Sequence, residues 1–470
     1  MERMEGVDAG FLYMETPSMH MHTLKIALLA PRRHVDLEEF TEALMSRLHQ
    51  LPPMRRRAVS APFHLNHPLW VVDDDIDPRH HVFHHHLPVG ATMADLEDAI
   101  GEIASTPLDR SRPLWEVHLL EGLADGRLGA VAKIHHALAD GGAANAMLAN
   151  VADQFGAARA EAVTAPEQLP SRGRQAVMAL QDAIAQIWTL PAVLRRTLVG
   201  LVGLVRHKRH SRVSTPRPLL DTPRTPFNGP LTPRRNFTTV SLPLAEVRRV
   251  RELHGVTLND VVLAVVAASL RSFLTTHGGR PVAPLVAGVP VGTDVPGGPV
   301  RLHGNRVSNL FTTLATDVDD PVDRLHQISR ITRETKQVQQ ALGPDLLREW
   351  VQFTPPAPFS AVLRLYSRWR AAGHHPPPFN VVVSNVRGPA EPASVAGAEL
   401  TDVFSVGPLI EGIGLNITAW SYVDRLNFSL LGCPDLVPDL RPLAAEFGPA
   451  LRELAAAPAS APGAGTGSRR

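Results

Sequence analysis

The sequence predicts an α/β fold with two halves of similar organisation, joined by a helical, basic crossover segment. The chain has 470 residues, which is too long for one compact domain of ordinary size and indicates two or three. Strand-like runs alternate with helical periodicities up to about residue 160, and this alternation returns from residue 236 onward. We expect one domain over residues 1–165, a proline-rich linker over 166–235, a second domain over 236–455 and a disordered tail over 456–470.

The composition is that of a globular protein and argues against several classes of function. Apolar residues make up 44% of the chain, enough to bury a large core. The 47 basic and 46 acidic residues nearly cancel, so no overall field attracts nucleic acid, and we expect no nucleic-acid partner. The single cysteine, Cys433, excludes an internal disulfide and a cysteine-based zinc cluster, and it suits a reducing compartment.

The sequence also favours a cytoplasmic location. The first residues, MERMEGVDAGFLYMET, carry acidic side chains where a signal peptide would have an apolar core. No run of about 18 or more consecutive apolar residues occurs, and a run such as 261–270 is too short to span a bilayer. We therefore expect a chain that does not cross a membrane.

In the first half, the spacing of apolar residues predicts each element in turn. The turn Asp125-Gly126 separates two strand-like runs and predicts a hairpin, and one helix ends just before Ser105-Thr106-Pro107. The predicted strands are 23–29, 70–72, 80–87, 115–120 and 128–134, and the predicted helices are 37–48, 94–104 and 142–155.

The second half repeats this organisation. Thr257 is the expected N-cap of one helix, Gly255 closes the helix before it, and Asp424-Arg425 forms the turn of a hairpin. The predicted strands are 237–242, 282–289, 306–315, 379–383, 413–422 and 426–431, and the predicted helices are 244–254, 258–274 and 438–455.

The segment between the halves has a composition of its own. Residues 171–217 contain nine Lys or Arg and one acid, Asp182, for a local net charge of +8. Apolar residues recur on one helical face before and after Pro191; they are Val177, Leu180, Ile184 and Ile187, then Leu194, Leu198, Leu201 and Val205. An apolar stripe flanked by arginines suits an anionic membrane or lipid surface. A helical pair packed on the protein's own body, with a solvated basic face, is the other interpretation.

The strongest chemical signal is the motif His135-His136-Ala137-Leu138-Ala139-Asp140-Gly141, where the strand 128–134 ends. Neighbouring strand residues point to opposite faces, so only one of the two histidines faces a given cleft. A neutral imidazole there can take a proton from an alcohol near neutral pH. Asp140 can fix the turn or hold the imidazole in one tautomer, and Gly141 allows a backbone conformation or a close approach that a side chain would block.

This HHxxxDG motif resembles the signature of acyl-CoA-dependent acyltransferases with the chloramphenicol-acetyltransferase fold and of peptide-synthetase condensation domains. Over roughly residues 4 to 455 the chain resembles the bacterial wax ester synthase/diacylglycerol acyltransferase family. The segments that carry this resemblance are Val7-Asp8-Ala9-Gly10-Phe11-Leu12, Pro107-Leu108-Asp109-Arg110, Arg112-Pro113-Leu114-Trp115-Glu116, Phe227-Asn228-Gly229-Pro230, Thr257-Leu258-Asn259-Asp260-Val261-Val262, Gly304-Asn305-Arg306-Val307-Ser308-Asn309, Ser384-Asn385-Val386-Arg387-Gly388-Pro389 and Gly414-Leu415-Asn416-Ile417.

The resemblance implies two chloramphenicol-acetyltransferase-like domains, each a mixed β-sheet with flanking helices, and a tunnel between them. An acyl thioester and an alcohol would enter from opposite sides and meet at His136, the general base. Asp140 would order the loop, and His135 would be a packed or hydrogen-bonded partner. Further residues are structural or line the substrate site: Pro113, Leu114, Trp115, Asn259 and Asp260. Asn259 and the pair Ser384-Asn385 are candidates for stabilising the oxyanion, or else cap a helix and form a turn.

Other signals are absent or weak. The histidines at 80, 81, 84, 85 and 86 form a dense cluster without known zinc spacing, so we predict no metal. No phosphate-binding loop and no GxSxG nucleophile elbow occurs, which argues against a nucleotide enzyme and against a covalent serine intermediate. We expect no cofactor, with acyl-CoA serving as a substrate.

The resulting expectation is transfer of a long-chain acyl group from acyl-CoA directly to the hydroxyl of diacylglycerol, giving triacylglycerol. Wax ester formation from a fatty alcohol is the close alternative, and a more complex lipid or a carrier-protein-bound acceptor is a third. A non-catalytic lipid-surface protein of the same fold is the alternative from another class. We expect a cytoplasmic protein in peripheral contact with the inner membrane or lipid inclusions.

Overall fold

A computed structural model describes residues 1–31, 37–73, 75–153, 169–211, 213–217, 219–277, 279, 281–294, 297–343 and 345–458. The helices are α1 (Gly6–Met14), α2 (Leu37–Ser46), α3 (Met93–Ala104), α4 (Gly141–Val151), α5 (Arg172–His210), α6 (Leu244–His254), α7 (Leu258–His277), α8 (Pro321–Leu342), α9 (Leu346–Val351), α10 (Pro356–Arg368), α11 (Arg441–Ala445) and α12 (Phe447–Ala456). The strands are β1 (Glu2–Arg3), β2 (His22–Pro31), β3 (Arg56–Val59), β4 (Leu69–Val72), β5 (Val82–Ala91), β6 (Trp115–Leu123), β7 (Leu128–His135), β8 (Asn236–Pro243), β9 (Val286–Gly292), β10 (Val307–Thr313), β11 (Val381–Arg387), β12 (Ser394–Val395), β13 (Ala398–Val406), β14 (Leu415–Tyr422) and β15 (Arg425–Gly432).

Each half is built on a mixed sheet, and the predicted α/β class is confirmed. The N-terminal sheet has the order β12-β13-β2-β7-β6-β5, in which β5 and β6 are parallel and the other neighbours antiparallel. The C-terminal sheet has the order β10-β9-β11-β14-β15-β8, with β11 parallel to both of its neighbours. A small third sheet joins β1, β4 and β3.

The buried helix α7 supports the C-terminal sheet. Its residues from Val261 to Leu270 are all buried, and they pack with alternate residues of the sheet such as Val383 and Ile417. The side chains of Thr257 and Asp260 cap the helix reciprocally, because each accepts a hydrogen bond from the other's backbone N–H. The predicted N-cap is therefore present, and burial on all sides explains the nearly unbroken apolar sequence.

A strand from the second half of the chain forms part of the N-terminal sheet. β13 pairs antiparallel with β2 over most of its length, although it lies more than 360 residues later in the chain. No element was predicted for residues 398–406, because a β-bulge between Leu400 and Asp402 breaks the two-residue alternation of apolar side chains there. Helices α1, α8, α9 and α10 were also not predicted.

Several predicted boundaries were wrong. β9 begins at Val286 instead of residue 282, and α4 ends at Val151 instead of residue 155. The predicted C-terminal helix is two helices, α11 and α12. The predicted disordered tail, from residue 459 onward, lies outside the described residues.

The predicted helical pair in the linker is one continuous helix, α5, with Pro191 inside it. Proline removes a backbone hydrogen bond and usually breaks a helix. Here the α9 region holds both sides of the proline: Gln186 donates to the carbonyl of Gln352, and the indole of Trp350 donates to the hydroxyl of Thr197 at 3.0 Å. These contacts keep the two parts of α5 in line.

Among the described residues, two helices are long and apolar enough to cross a bilayer, by length and composition alone. In α7 this stretch is mostly buried in the protein core, whereas in α5 only 11% of its most apolar stretch is buried. Neither was predicted as a membrane span, because neither contains an unbroken apolar run of about 18 residues.

Glycines let α5 lie directly against α8. A side chain at Gly200 would collide with the carbonyl oxygen of Leu342, whereas a Cβ at Gly173 of the same helix would meet no neighbour within 4 Å. We predict that Gly200→Ala lowers the free energy of unfolding by about 1–3 kcal/mol, because the two helices must separate. Gly173→Ala should instead leave it unchanged or raise it by up to about 1 kcal/mol. Denaturant unfolding of both variants tests this; equal effects would contradict close packing at Gly200.

Candidate active site

The His135–Gly141 motif lies where the N-terminal sheet meets the helix that follows it. β7 ends at His135, and the backbone N–H of His136 donates to the carbonyl of Met21 at 2.7 Å, which keeps the chain attached to the segment before β2. Asp140 then caps α4, because its carboxylate accepts from the N–H of Ala143 at 2.9 Å. The two histidines sit on either side of the end of the sheet.

The ring of His136 is held by Asn305, which precedes β10 in the other half. Nδ1 of His136 lies 2.9 Å from Oδ1 of Asn305. The amide nitrogen of Asn305 donates to Oδ1 of Asp8 at 2.8 Å and to the backbone carbonyl of His136 at 2.7 Å. A carbonyl only accepts, so the atom facing it is the nitrogen, and the atom facing Nδ1 is the oxygen. Nδ1 of His136 therefore carries the proton, and Nε2 keeps its lone pair.

Burial keeps this imidazole neutral. It lowers the pKa of His136 below the ordinary value of 6.5, and the charge of Lys25 lowers this pKa further. Phe11 of α1 stacks on the ring, with 4.1 Å between centroids and 16° between planes. A neutral imidazole with a free Nε2 can act as a general base at neutral pH.

Asp8 of α1 anchors the asparagine. It is buried, and burial raises its pKa to about 7, while the hydrogen bond from Asn305 opposes this rise. A carboxyl oxygen accepts a hydrogen bond whether the group is ionised or protonated. Asp8 can thus orient Asn305 on both sides of neutral pH.

Asp140 ties the motif to the second half of the chain. Besides capping α4, its Oδ2 accepts from the backbone N–H of Arg306 at 2.8 Å and from Nη2 of Arg301 at 2.7 Å. Arg301 also donates to the carbonyl of Gly304, next to Asn305. These contacts make Asp140 an ordering residue, and no hydrogen bond joins its carboxylate to His136 in the described part of the structure.

His135 is packed behind the turn. Its Nδ1 accepts from the N–H of Ala137 at 3.0 Å, so its proton is on Nε2, the opposite tautomer from His136. Nε2 lies 3.9 Å from Oε2 of Glu15, and neither atom has a hydrogen-bond partner among the described residues. Burial lowers the pKa of His135 well below its ordinary value.

Gly141 allows a close approach between the start of α4 and β11. A Cβ at this position would lie 3.1 Å from the side chain of Val386, and its φ is not in the left-handed region. Val386 follows Ser384 and Asn385 on β11, so this strand reaches the start of α4. Ser384 and Asn385 therefore lie on the strand that approaches the motif. No hydrogen bond among the described residues joins either of them to His136.

The other predicted site residues lie in the surrounding framework. Leu114 accepts a backbone hydrogen bond from His135 at 2.9 Å, and the indole of Trp115 donates to the carbonyl of Met54 at 2.7 Å. Pro113 is buried beside them. Asp260 caps α7 and accepts from Ser329 at 3.0 Å, and Asn259 lies in the first turn of the same helix.

The histidine cluster near residue 80 has separate partners. His81 bonds to the carbonyl of Trp115, His84 to Thr41, and His85 to His118. Within the described ranges no group of three or more His, Cys, Asp or Glu is arranged to hold a metal ion.

Sequence reasoning missed the roles of Asp8, Phe11, Arg301 and Asn305. Asp8, Phe11 and Asn305 stand inside segments that carried the family resemblance, which was the available signal. Their contact with His136 depends on chain segments far apart in sequence, so no spacing rule could reveal it.

The two adjacent histidines give a direct test of this geometry. In ¹⁵N spectra of histidine-labelled protein, we predict that His136 is protonated at Nδ1 and His135 at Nε2, with His136 titrating below pH 6.5. Asn305→Ala should remove the tautomer preference of His136 and leave that of His135 unchanged. An Nε2-protonated His136 in the unaltered protein would contradict the assignment.

Comparisons with known proteins identify the family of this chain. The wax ester synthase/diacylglycerol acyltransferase catalytic domain matches residues 4–262, and the WS/DGAT C-terminal domain matches residues 303–455. A Mycobacterium tuberculosis (strain ATCC 25618 / H37Rv) protein, provisionally named a diacylglycerol O-acyltransferase, is 39% identical over 446 residues that cover 93% of this chain and 92% of the relative. A second protein of that strain with the same provisional name is 35% identical and covers 97% of this chain and 90% of the relative.

Solved structures give the same result. The wax ester synthase/diacylglycerol acyltransferase from Marinobacter aquaeolei VT8 is 28% identical with a TM-score of 0.66, covering 97% of this chain and 98% of that one. The starter condensation domain of rhizomide synthetase, at 14% identity and a TM-score of 0.53 over 97% of this chain and 94% of that one, shows a likeness of fold alone. The chain belongs to the wax ester synthase/diacylglycerol acyltransferase family.

Proposed function

We propose that this protein transfers a long-chain acyl group from acyl-CoA to the hydroxyl of diacylglycerol, with His136 as general base and without a covalent intermediate. The observation that carries the proposal is the fixed tautomer of His136, which has a protonated Nδ1 held by Asn305 and a free Nε2. The provisional names of the mycobacterial relatives support diacylglycerol as the acceptor.

In the proposed reaction, Nε2 of His136 takes the proton of the acceptor hydroxyl while its oxygen attacks the thioester carbonyl. The tetrahedral intermediate then expels the CoA thiolate, which receives the proton from His136, and leaves the new ester. A thioester is already activated, so one base and a stabilised oxyanion are sufficient. The imidazolium formed in between is stabilised because Nδ1 keeps its hydrogen bond to Asn305.

For the oxyanion we favour Ser384 or Asn385 over Asn259. β11 approaches the motif because its Val386 lies against Gly141, and Ser384 and Asn385 precede Val386 on the same strand. Asn259 belongs to a helix end already closed by Thr257 and Asp260.

A non-catalytic role would not require this arrangement. Keeping a buried histidine in one tautomer takes Asn305 and Asp8, both of them buried polar residues, and burying polar groups is costly unless every one is paired. A protein that only coated a lipid surface would gain nothing from it. Wax ester synthesis uses the same chemistry and differs only in the acceptor.

The test is an assay with radiolabelled palmitoyl-CoA, offering diacylglycerol and hexadecanol in parallel. We predict label in triacylglycerol and a loss of about 10²–10⁴-fold in kcat for His136→Ala, because the general base is removed. His84→Ala, at an exposed histidine bonded to Thr41, is the matched control and should keep the activity. Full activity of His136→Ala would refute the proposed base, and label only in wax ester would favour the alternative acceptor.

We also propose that α5 docks the protein on an anionic phospholipid bilayer from the cytoplasmic side. Large apolar side chains along this helix are exposed, including Trp188 at 80% and Leu198 at 64%. Its last turn carries His207, Lys208, Arg209 and His210. Apolar and aromatic side chains next to basic ones are the combination that binds the surface of anionic membranes.

Charge reversal tests the docking. Changing Arg195, Arg206 and Arg209 to Glu should weaken binding to phosphatidylglycerol vesicles by at least about 1 kcal/mol per charge, most strongly at low salt. Arg196 is left in place because it pairs with Glu349 at 2.9 Å. The control reverses the exposed arginines 248, 249 and 333, outside α5. Equal binding of the two triple variants at every salt concentration would refute the proposal.

A further inference from the structure

A cavity of about 130 Å³ lies against the N-terminal sheet and reaches α4, the helix that follows the histidine motif. Its floor is the face of the N-terminal sheet that carries Ala27, Ala130 and Ala132, and its walls come from α2, α4 and Trp420. Alanines in the middle of a sheet leave space that larger side chains would fill. Every lining side chain is apolar or aromatic except that of Lys25.

Lys25 is held in this cavity by few contacts. Its Nζ donates to the hydroxyl of Ser405 on the neighbouring strand β13 at 2.6 Å and lies 5.4 Å from the ring centroid of Trp420. Among the described residues it has no ion-pair partner and no second hydrogen bond. An ammonium group has three N–H donors, so two remain for another acceptor.

The amine belongs to the electrostatic surroundings of the active site. Lys25 on β2 lies opposite Ala132 on β7, four residues before His136. Its charge lowers the pKa of His136, and the carboxylate of Asp140 raises the pKa of Lys25. Among the described residues Asp140 forms no hydrogen bond to the lysine, and its oxygens accept instead from Ala143, Arg301 and Arg306. Burial lowers the pKa of Lys25 to about 8, which leaves most of the group charged at neutral pH.

We infer that Lys25 binds an ester carbonyl oxygen of the acceptor lipid and so selects a glycerolipid over a simple fatty alcohol. The inference rests on the proposed function and deepens it. A positively charged donor in an apolar cavity is unfavourable unless the ligand brings an acceptor oxygen. Diacylglycerol carries two ester carbonyls a few bonds from its free hydroxyl, whereas a fatty alcohol has only methylene groups at that distance.

The acceptor itself provides the first test. For the unaltered enzyme and palmitoyl-CoA, kcat/KM for a 1,2-diacylglycerol should exceed that for the matching 1,2-di-O-alkylglycerol by roughly tenfold or more, because the ether lacks the carbonyl. Lys25→Met should reduce this ratio to near one. Lys336→Met, at an exposed lysine of α8, is the matched control and should keep the ratio of the unaltered enzyme.

Hexadecanol completes the experiment. The ratio of kcat/KM for diacylglycerol over hexadecanol should fall roughly tenfold in Lys25→Met, and Lys25→Arg should retain part of it because the guanidinium also donates. Equal rates with the ester and ether lipids in the unaltered enzyme would overturn the inference even if Lys25→Met does not fold. An equal loss for all three acceptors would also overturn it. Transfer to none of them by the unaltered enzyme would instead refute the proposed function.

Discussion

The orientation of one side-chain amide, that of Asn305, determines the tautomer of His136. Asn305 can present its oxygen to His136 only because its nitrogen is committed to Asp8 and to the backbone carbonyl of His136. If the amide were rotated by 180°, its NH₂ group would point at the protonated Nδ1 of His136. Its oxygen would then face two acceptors, the carboxyl of Asp8 and the carbonyl of His136, and buried polar groups without a partner are costly. The amide therefore holds α1, the histidine turn and the segment before β10 in one arrangement, and this arrangement specifies which ring nitrogen of His136 is free to accept a proton.

The candidate active site is built from residues of both halves of the chain. The histidines and Asp140 come from the first half, whereas Arg301, Asn305 and Val386 come from the second. Asp140 caps its own helix and accepts from two groups of the other half, so local helix formation and the joining of the halves depend on one carboxylate. A small shift between the halves would move Asn305 away from the ring before it disturbed either core.

Much of the fold was predictable because local patterns determine local elements. The strand 128–134, the helix 244–254 and the capped helix that begins at residue 258 were all found from apolar spacing and capping residues. β13 was not, since the bulge between Leu400 and Asp402 interrupts its alternation of apolar and polar residues. In the site, His135, His136 and Asp140 could be found because they stand within one short sequence motif. The contact between Asn305 and Asp8 joins residues nearly 300 positions apart, and no sequence spacing indicates it. Pro191 predicted a break in α5, but tertiary contacts on either side overrode it.

The pairing of β13 with β2 has a consequence for folding during synthesis of the chain. During synthesis, the first half emerges with β2 as an open sheet edge, and its missing partner is translated only after residue 398. An open edge pairs readily with other chains, and such distant contacts form slowly. The N-terminal sheet thus cannot be completed until nearly the whole message has been read. We therefore expect β2 to be an aggregation-prone edge from the completion of β7 until β13 has emerged.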